Sequence, residues 1–328
     1  MINKLKTTIH IVISLLLITL SGNAFAEEPI ISKVKAPRAP KIEYKQLAEI
    51  RKLVTKTQKD GFDEKILKIS DFFLGKPYNF ELGERLITWD KHRNKLKLLD
   101  ISSFDCLSYV ETVLALAKFD SVPVSNKEFS KGLSENLSSI MFAVNDFSYT
   151  GRNHFIDSEW IKSNSNFIVG NIAEELPYAK TKTVKLDKKA LLENQLQNYA
   201  TKYVKEENKT KFLNKFKNEL EKFTPVDSTV KYISFNDFLS HKNELIEKLK
   251  GKIYIFALVM NNPKLIEITK SDHNIGHVGF IYVKDNNIHL KHASASGDKL
   301  VEDILLVDYA KAKEENEAFL GFSLYEIK

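Results

Sequence analysis

The run Phe104-Asp105-Cys106-Leu107-Ser108-Tyr109-Val110-Glu111 contains the only cysteine of this 328-residue chain. It stands far upstream of Gly276-His277-Val278-Gly279-Phe280 and of Lys291-His292-Ala293-Ser294. Asp105 can cap a helix whose first residue is Cys106, with Val110, Val113, Leu114 and Ala117 as its apolar face and an end near Lys118. A thiol attacks an amide as its thiolate, and a helix start beside an imidazole lowers the thiol pKa. Cys106 is therefore a candidate nucleophile. The competing reading is an inert core cysteine, a common fate for the residue.

The base has to come from another part of the chain. His277 sits at the entry to a strand between Gly276 and Gly279, whose missing side chains would let the cysteine helix approach closely. In the next strand the side chains alternate, so Ile288, Leu290 and His292 share one face while His289 and Lys291 share the other. His292 is expected to point toward the core and His277, where it can accept the ring N–H of His277 and fix its tautomer. His289 reads as solvent-facing. A zinc set of His273 and His277 with Asp272 or His292 is the rival chemistry. Asn274-Ile275-Gly276 is poor helix and does not place both rings on one face, so neither a metal nor an organic cofactor is expected.

Outside this constellation the chain opens with Lys4 and Lys6, an apolar stretch from Ile9 to Leu20, and Ala24-Phe25-Ala26. These are the parts of a secretory signal cleaved after Ala26, which predicts a periplasmic or secreted protein. The apolar stretch falls short of the roughly 20 residues a membrane span needs, so no integral span is expected after cleavage. No cysteine near the cleavage point could take a lipid. Losing residues 1–26 removes two lysines and no acids, which lowers the formal charge from +6 to +4. That charge is spread widely, without the aromatic-interleaved basic stripe of a nucleic-acid binder.

Residues 27–42 carry three prolines and read as a flexible leader, followed by one domain over 43–328. Apolar spacing predicts helices from Tyr44 and again after Gly61. Asn145 to Asn164 reads as loop, and the Lys/Glu-rich stretch of about 181–250 reads as a helical insertion. Ile253–Met260, Val278–Val283, Ile288–His292 and Phe319–Ile327 read as strands, with a tight hairpin turn at Asp285-Asn286-Asn287. Helices first and strands later predict an α+β fold.

Leu74-Gly75-Lys76-Pro77-Tyr78, Asp105-Cys106, Gly276-His277-Val278-Gly279 and His292-Ala293-Ser294 together resemble the NlpC-type cell-wall cysteine peptidases, which have a papain-like fold. Within that superfamily, Arg152-Asn153-His154-Phe155 followed by Glu159-Trp160-Ile161 resembles the N-acetylmuramoyl-L-alanine amidase-like family, with Glu159 in place of an aspartate. The resemblance implies a Cys106 nucleophile, His277 as general base and acid, and His292 as orienting residue. It also implies that the Tyr78 hydroxyl aims at the oxyanion, and that Arg152, His154 and Trp160 form the substrate groove. The implied substrate is peptidoglycan or a muropeptide, cut between N-acetylmuramic acid and L-alanine. Cleavage of the stem peptide between D-glutamate and the diamino acid, and a wall-binding module without turnover, are the alternatives.

Overall fold

The computed structural model describes residues 44–80, 82–87, 101–144 and 146–328. The expected signal over 1–26 and leader over 27–42 lie outside the described residues. Helices α1 (Tyr44–Lys56), α2 (Phe62–Phe72) and α3 (Leu82–Ile87) precede α4 (Cys106–Ala117) and α5 (Asn126–Met141). A π-helical turn (Ile156–Trp160) runs into α6 (Ile161–Ser163), then β1 (Ile168–Asn171), β2 (Lys180–Leu186), α7 (Lys188–Tyr203), α8 (Glu206–Asn214) and α9 (Lys217–Leu220). β3 (Val226–Ser234), α10 (Phe235–Ser240) and α11 (Lys242–Leu249) come next. The chain closes with β4 (Ile253–Met260), α12 (Pro263–Thr269), β5 (Ile275–Lys284), β6 (Asn287–Ala293), β7 (Val301–Leu305), α13 (Leu306–Lys311) and β8 (Phe319–Ile327).

The strands form one antiparallel sheet in the order β2-β3-β8-β4-β5-β6-β7, with β1 also paired to β8. The fold is thus α+β, as the order of elements predicts. Every residue of β4, Ile-Tyr-Ile-Phe-Ala-Leu-Val-Met, is buried. A continuous apolar run of this kind needs cover on both faces of its sheet. One face carries Ile253, Ile255, Ala257, Val259, Val278 and Phe280 into a core shared with α1, α2, α4 and α5. The other carries Tyr254, Phe256, Leu258, Ile281 and Leu290 against α10, α11 and α13. The result is a sheet held between two helical layers.

Two features set the register around the site. β5 and β6 are joined by a turn in which Asp285 (φ 49°) and Asn286 (φ 58°) both adopt the left-handed conformation. Such a two-residue turn matches the twist of its flanking strands and fixes their pairing. At the other side of the sheet, Gly321 has φ 149°, and a Cβ there would stand 2.0 Å from the Ile233 carbonyl oxygen. The glycine lets β3 close against β8.

The Lys-rich segment departs from the helical insertion expected of it. It supplies helices α7 to α11, but also β2 and β3, which enter the sheet through β8. The side chain of Lys182 on β2 reaches across to the carbonyls of Met260 (2.5 Å) and His273 (2.9 Å), so the segment is tied to the strands that lead into the site. The loop expected over Asn145–Asn164 contains the π-helical turn and α6. Among the described residues no helix is long and apolar enough to cross a membrane.

Gly321→Ala should cost about 2–4 kcal/mol, since a backbone clash and a disfavoured φ act together. Urea unfolding monitored by circular dichroism measures this, and a midpoint equal to that of the parent would contradict the close approach.

Candidate functional site

Asp105 caps α4 as the sequence predicts. Its Oδ1 accepts the Ser108 amide at 2.7 Å, and the Ser108 hydroxyl accepts the Asp105 amide at 3.0 Å, closing a capping box around Cys106. Just before it, Phe104 bonds the Pro77 carbonyl (3.0 Å) and Asn79 bonds the Phe104 carbonyl (2.9 Å). These bonds bring the backbone of Tyr78 alongside the approach to Cys106, with the Tyr78 ring packed on Phe80 at 4.7 Å.

The two histidines meet. His277 Nε2 and His292 Nδ1 are 2.7 Å apart, with the rings nearly perpendicular and both buried. His277 pairs with Leu258 in the β4–β5 register, which puts its ring on the α13 side of the sheet. His292 lies on the same side, its ring 5.6 Å from Tyr309 of α13. His289 faces the other way and pairs with Asp303 at 3.1 Å.

α4 packs on the opposite face, where Tyr109 meets Phe280. This corrects the expectation that Gly276 and Gly279 make room for the cysteine helix. A Cβ on Gly276 would meet Met260 Sδ at 1.8 Å, and one on Gly279 would meet the Lys291 carbonyl oxygen at 2.6 Å and His292 Cβ at 2.9 Å. The glycines therefore admit Met260 and the backbone of β6, and Gly279 is what lets His292 come close to His277.

The sulfur reaches this region from the first turn of α4. The Val278 amide, one residue beyond His277, is directed at the Cys106 thiol together with the amides of Leu107 and Cys106 itself. Tyr309 is within electrostatic reach of the same thiol. No hydrogen bond joins the sulfur to the His277 ring in this structure, although both groups border the one peptide.

Burial decides the charge state of these groups. It pushes the Cys106 thiol far above its ordinary range, the Asp105 charge adds to that, and the three amides oppose it without prevailing. The helix-start placement thus does not produce the lowered thiol pKa that the sequence suggests. His277 is driven well below the usual imidazole range, first by burial and then by the charges of His292 and Lys313. The resting pair is a neutral thiol and a neutral imidazole.

The Arg152–Trp160 segment is a buried polar hub. Arg152 Nη2 lies 3.2 Å from Glu111 Oε2, inside α4, and Glu111 has no exposed side-chain surface. Burial raises the Glu111 carboxyl to about 7 despite the Arg152 charge, and the fully buried Trp160 lies near the same carboxylate with its indole N–H unpaired. Glu159 accepts the amides of His154 (2.7 Å) and Phe155 (3.2 Å) and pairs with Lys188 of α7 at 2.7 Å. Asp157 accepts from Ser228 of β3 (2.6 Å) and from Asn274 just before β5 (2.7 Å). Arg152 and Trp160, expected to line a substrate groove, are both buried, with Arg152 paired to Glu111 of α4. His154 is partly exposed, with its ring nitrogen 3.1 Å from the Tyr149 carbonyl oxygen and no contact with Cys106, His277 or His292.

His273 is turned away from the histidine pair, its ring 3.2 Å from the Thr269 hydroxyl and beside Phe155. Among the described residues no three His, Cys, Asp or Glu side chains are grouped closely enough to hold a metal. One neighbour of the pair is absent from the sequence reading. Glu302 of β7 stands opposite His292 in the β6–β7 register, with its Oε1 3.2 Å from His292 Nε2.

Residues 68–318 match a family model described as AmiA-like, N-acetylmuramoyl-L-alanine amidase-like. No curated protein matches the chain. Among solved structures, protein LPG0564 of Legionella pneumophila superposes with a TM-score of 0.69 at 20% identity, over 86% of this chain and 94% of that one. Two structures of an N-acetylmuramoyl-L-alanine amidase from Bacteroides uniformis give TM-scores of 0.52 and 0.54 at 20% and 18% identity, over 81% of this chain and 99% of theirs. At these identities the likeness is one of fold.

Arg152→Ala should destabilise the protein by about 3–5 kcal/mol, the usual cost of leaving a buried charge unpaired. Chemical denaturation checks this, and a loss confined to substrate binding would restore the groove role. Alkylation of Cys106 by iodoacetamide should be slow at neutral pH and climb steadily as pH rises. A preformed thiolate–imidazolium pair would instead hold its reactivity into the acid range.

Proposed function

The chain belongs to the AmiA-like, N-acetylmuramoyl-L-alanine amidase-like family, and on that premise we propose that it is an exported cysteine hydrolase of the NlpC type, with a papain-like site, that cleaves the amide between N-acetylmuramic acid and L-alanine in peptidoglycan or muropeptides. The observation that carries this reading is the 2.7 Å bond between His277 and His292 beside the helix-start Cys106. A base oriented by a second ring next to a nucleophile is the working arrangement of acyl transfer.

The chemistry follows from the neutral resting pair. Cys106 gives its proton to His277 as the sulfur attacks the lactyl carbonyl, so no stable thiolate has to exist beforehand. The tetrahedral oxygen develops next to the amides that already face the sulfur, those of Val278 and the first turn of α4, with the Tyr78 hydroxyl as a further donor. His277 then protonates the departing alanine amine, and water releases the muramoyl group from the thioester. His292 accepts the Nε2–H of His277 throughout and keeps its other nitrogen toward the sulfur. Export follows from the signal expected over residues 1–26.

Purified protein incubated with muropeptides should release free N-acetylmuramic acid or its anhydro form, read by mass spectrometry. Cys106→Ala should lose at least about 10³-fold in rate, in line with removal of a nucleophile, while a chelator leaves the rate unchanged. Products cut between D-glutamate and the diamino acid would replace the bond named here by the endopeptidase alternative. An unaltered product profile for Cys106→Ala would remove the nucleophile assignment.

A further inference from the structure

His277 can serve as a base only if the nitrogen it turns to the thiol carries no proton. Its Nε2 is bonded to His292 Nδ1, and one proton is shared between those two nitrogens. If the proton belongs to His277, the remaining His277 nitrogen, Nδ1, is bare and basic. If it belongs to His292, a neutral His277 must carry its own proton on Nδ1, the one nitrogen left to take the thiol proton, and the pair is inert. The histidine pair by itself does not choose between these states.

A choice is made on the far side of His292. Its Nε2 is fully buried and without an aligned hydrogen bond, and the Glu302 carboxylate is the group within reach, 3.2 Å away across the β6–β7 pair. A carboxylate accepts and does not donate, so it favours the state with a proton on Nε2 of His292. A neutral His292 that carries its proton on Nε2 presents a lone pair at Nδ1. That lone pair accepts from His277 Nε2–H, and His277 Nδ1 is left free.

We infer that Glu302 is a positioning residue that sets the tautomers of both histidines through His292, completing a relay of Glu302, His292, His277 and Cys106. This rests on the reading of His277 as the base. The groups facing the pair are the Cys106 thiol at the start of α4, Tyr309 of α13, Lys313 just beyond α13 and Glu302 of β7. Lys313 is buried with its ammonium over the rings of Tyr309 and Phe319, each at 4.6 Å, and its charge disfavours a protonated pair. Glu302 works against that charge and raises the affinity of His292 for a proton. Glu302 is partly exposed at the end of its strand pair, so its removal leaves the core untouched.

The test combines ring-nitrogen NMR with kinetics on the same protein. Long-range ¹⁵N–¹H spectra, assigned with His277→Gln and His292→Gln, should show both rings protonated at Nε2 in the parent. In Glu302→Ala the His292 signals should shift toward the Nδ1–H form. Turnover of muropeptides by Glu302→Ala should fall about ten- to a hundredfold, the range in which outer partners of functional histidines act, with KM little changed. Glu302→Gln keeps an acceptor oxygen and should recover part of the loss. In both variants the acid limb of kcat/KM should move to lower pH, because the carboxylate that favours protonation is gone.

Parent spectra with a proton on Nδ1 of His292 would overturn the relay. So would a folded Glu302→Ala with unchanged kcat and an unchanged acid limb. If Glu302→Ala fails to fold, the parent spectra and Glu302→Gln decide. The ring signals need no substrate, so a protein that cut no muropeptide yet showed both rings protonated at Nε2 would fail the amidase reading and leave the relay standing.

Discussion

The site depends on the register of β5 against β6. His277 and His292 belong to different strands, and their rings meet because the Asp285-Asn286 turn sets the pairing and Gly279 offers no side chain where the β6 backbone and His292 Cβ lie. A slip of β6 by one residue would send the His292 ring to the opposite face, under α4, away from His277, and turn His289 and Lys291 toward the side it vacates. Cover on both faces guards against that slip. Phe280 is held by Tyr109 on one side while Ile281 and Leu290 are held by the α13 layer on the other. The packing of the core and the meeting of two imidazoles are therefore one constraint.

Within that frame, burial outweighs the other influences on charge. The helix terminus and three amides favour a thiolate at Cys106, but removal from water disfavours it more strongly, and the same holds for protonation of His277. A site built this way keeps its nucleophile protonated until a substrate carbonyl is in place, and proton transfer accompanies attack. The polar hub under α4 obeys the same rule. Glu111 and Arg152 are tolerated inside the protein because each answers the other.

Much of this was legible before the structure. Asp105 announces the start of α4 as a cap, the spacing of Leu47, Ile50, Leu53 and Val54 gives α1, and Ile288, Leu290 and His292 alternate as a half-buried strand does. What escaped has physical reasons. β2 reads Lys-Thr-Lys-Thr-Val-Lys-Leu, an edge strand whose exposed lysines blend with the charged helices beyond it. β3 alternates in its burial, but it lies between helical stretches that dominate any window. Glu302 lies on a separate strand, and only the β6–β7 register brings it opposite His292. Arg152 and Trp160 were visible as a motif. A motif does not say which way a side chain points, and both point inward.

The segment from β2 to α11 interrupts the chain between the nucleophile and the base, and on paper it could be trimmed to give a smaller catalyst. The sheet argues otherwise. β3 is one of the strands that covers β8, and α10 and α11 roof the aromatic layer of Phe256 and Phe322. Excision would leave part of β8 as an open row of unpaired amides and carbonyls beside uncovered aromatic rings, a surface that recruits other chains by strand addition. What looks like ornament in the sequence is the wall that keeps this protein from polymerising through its own sheet.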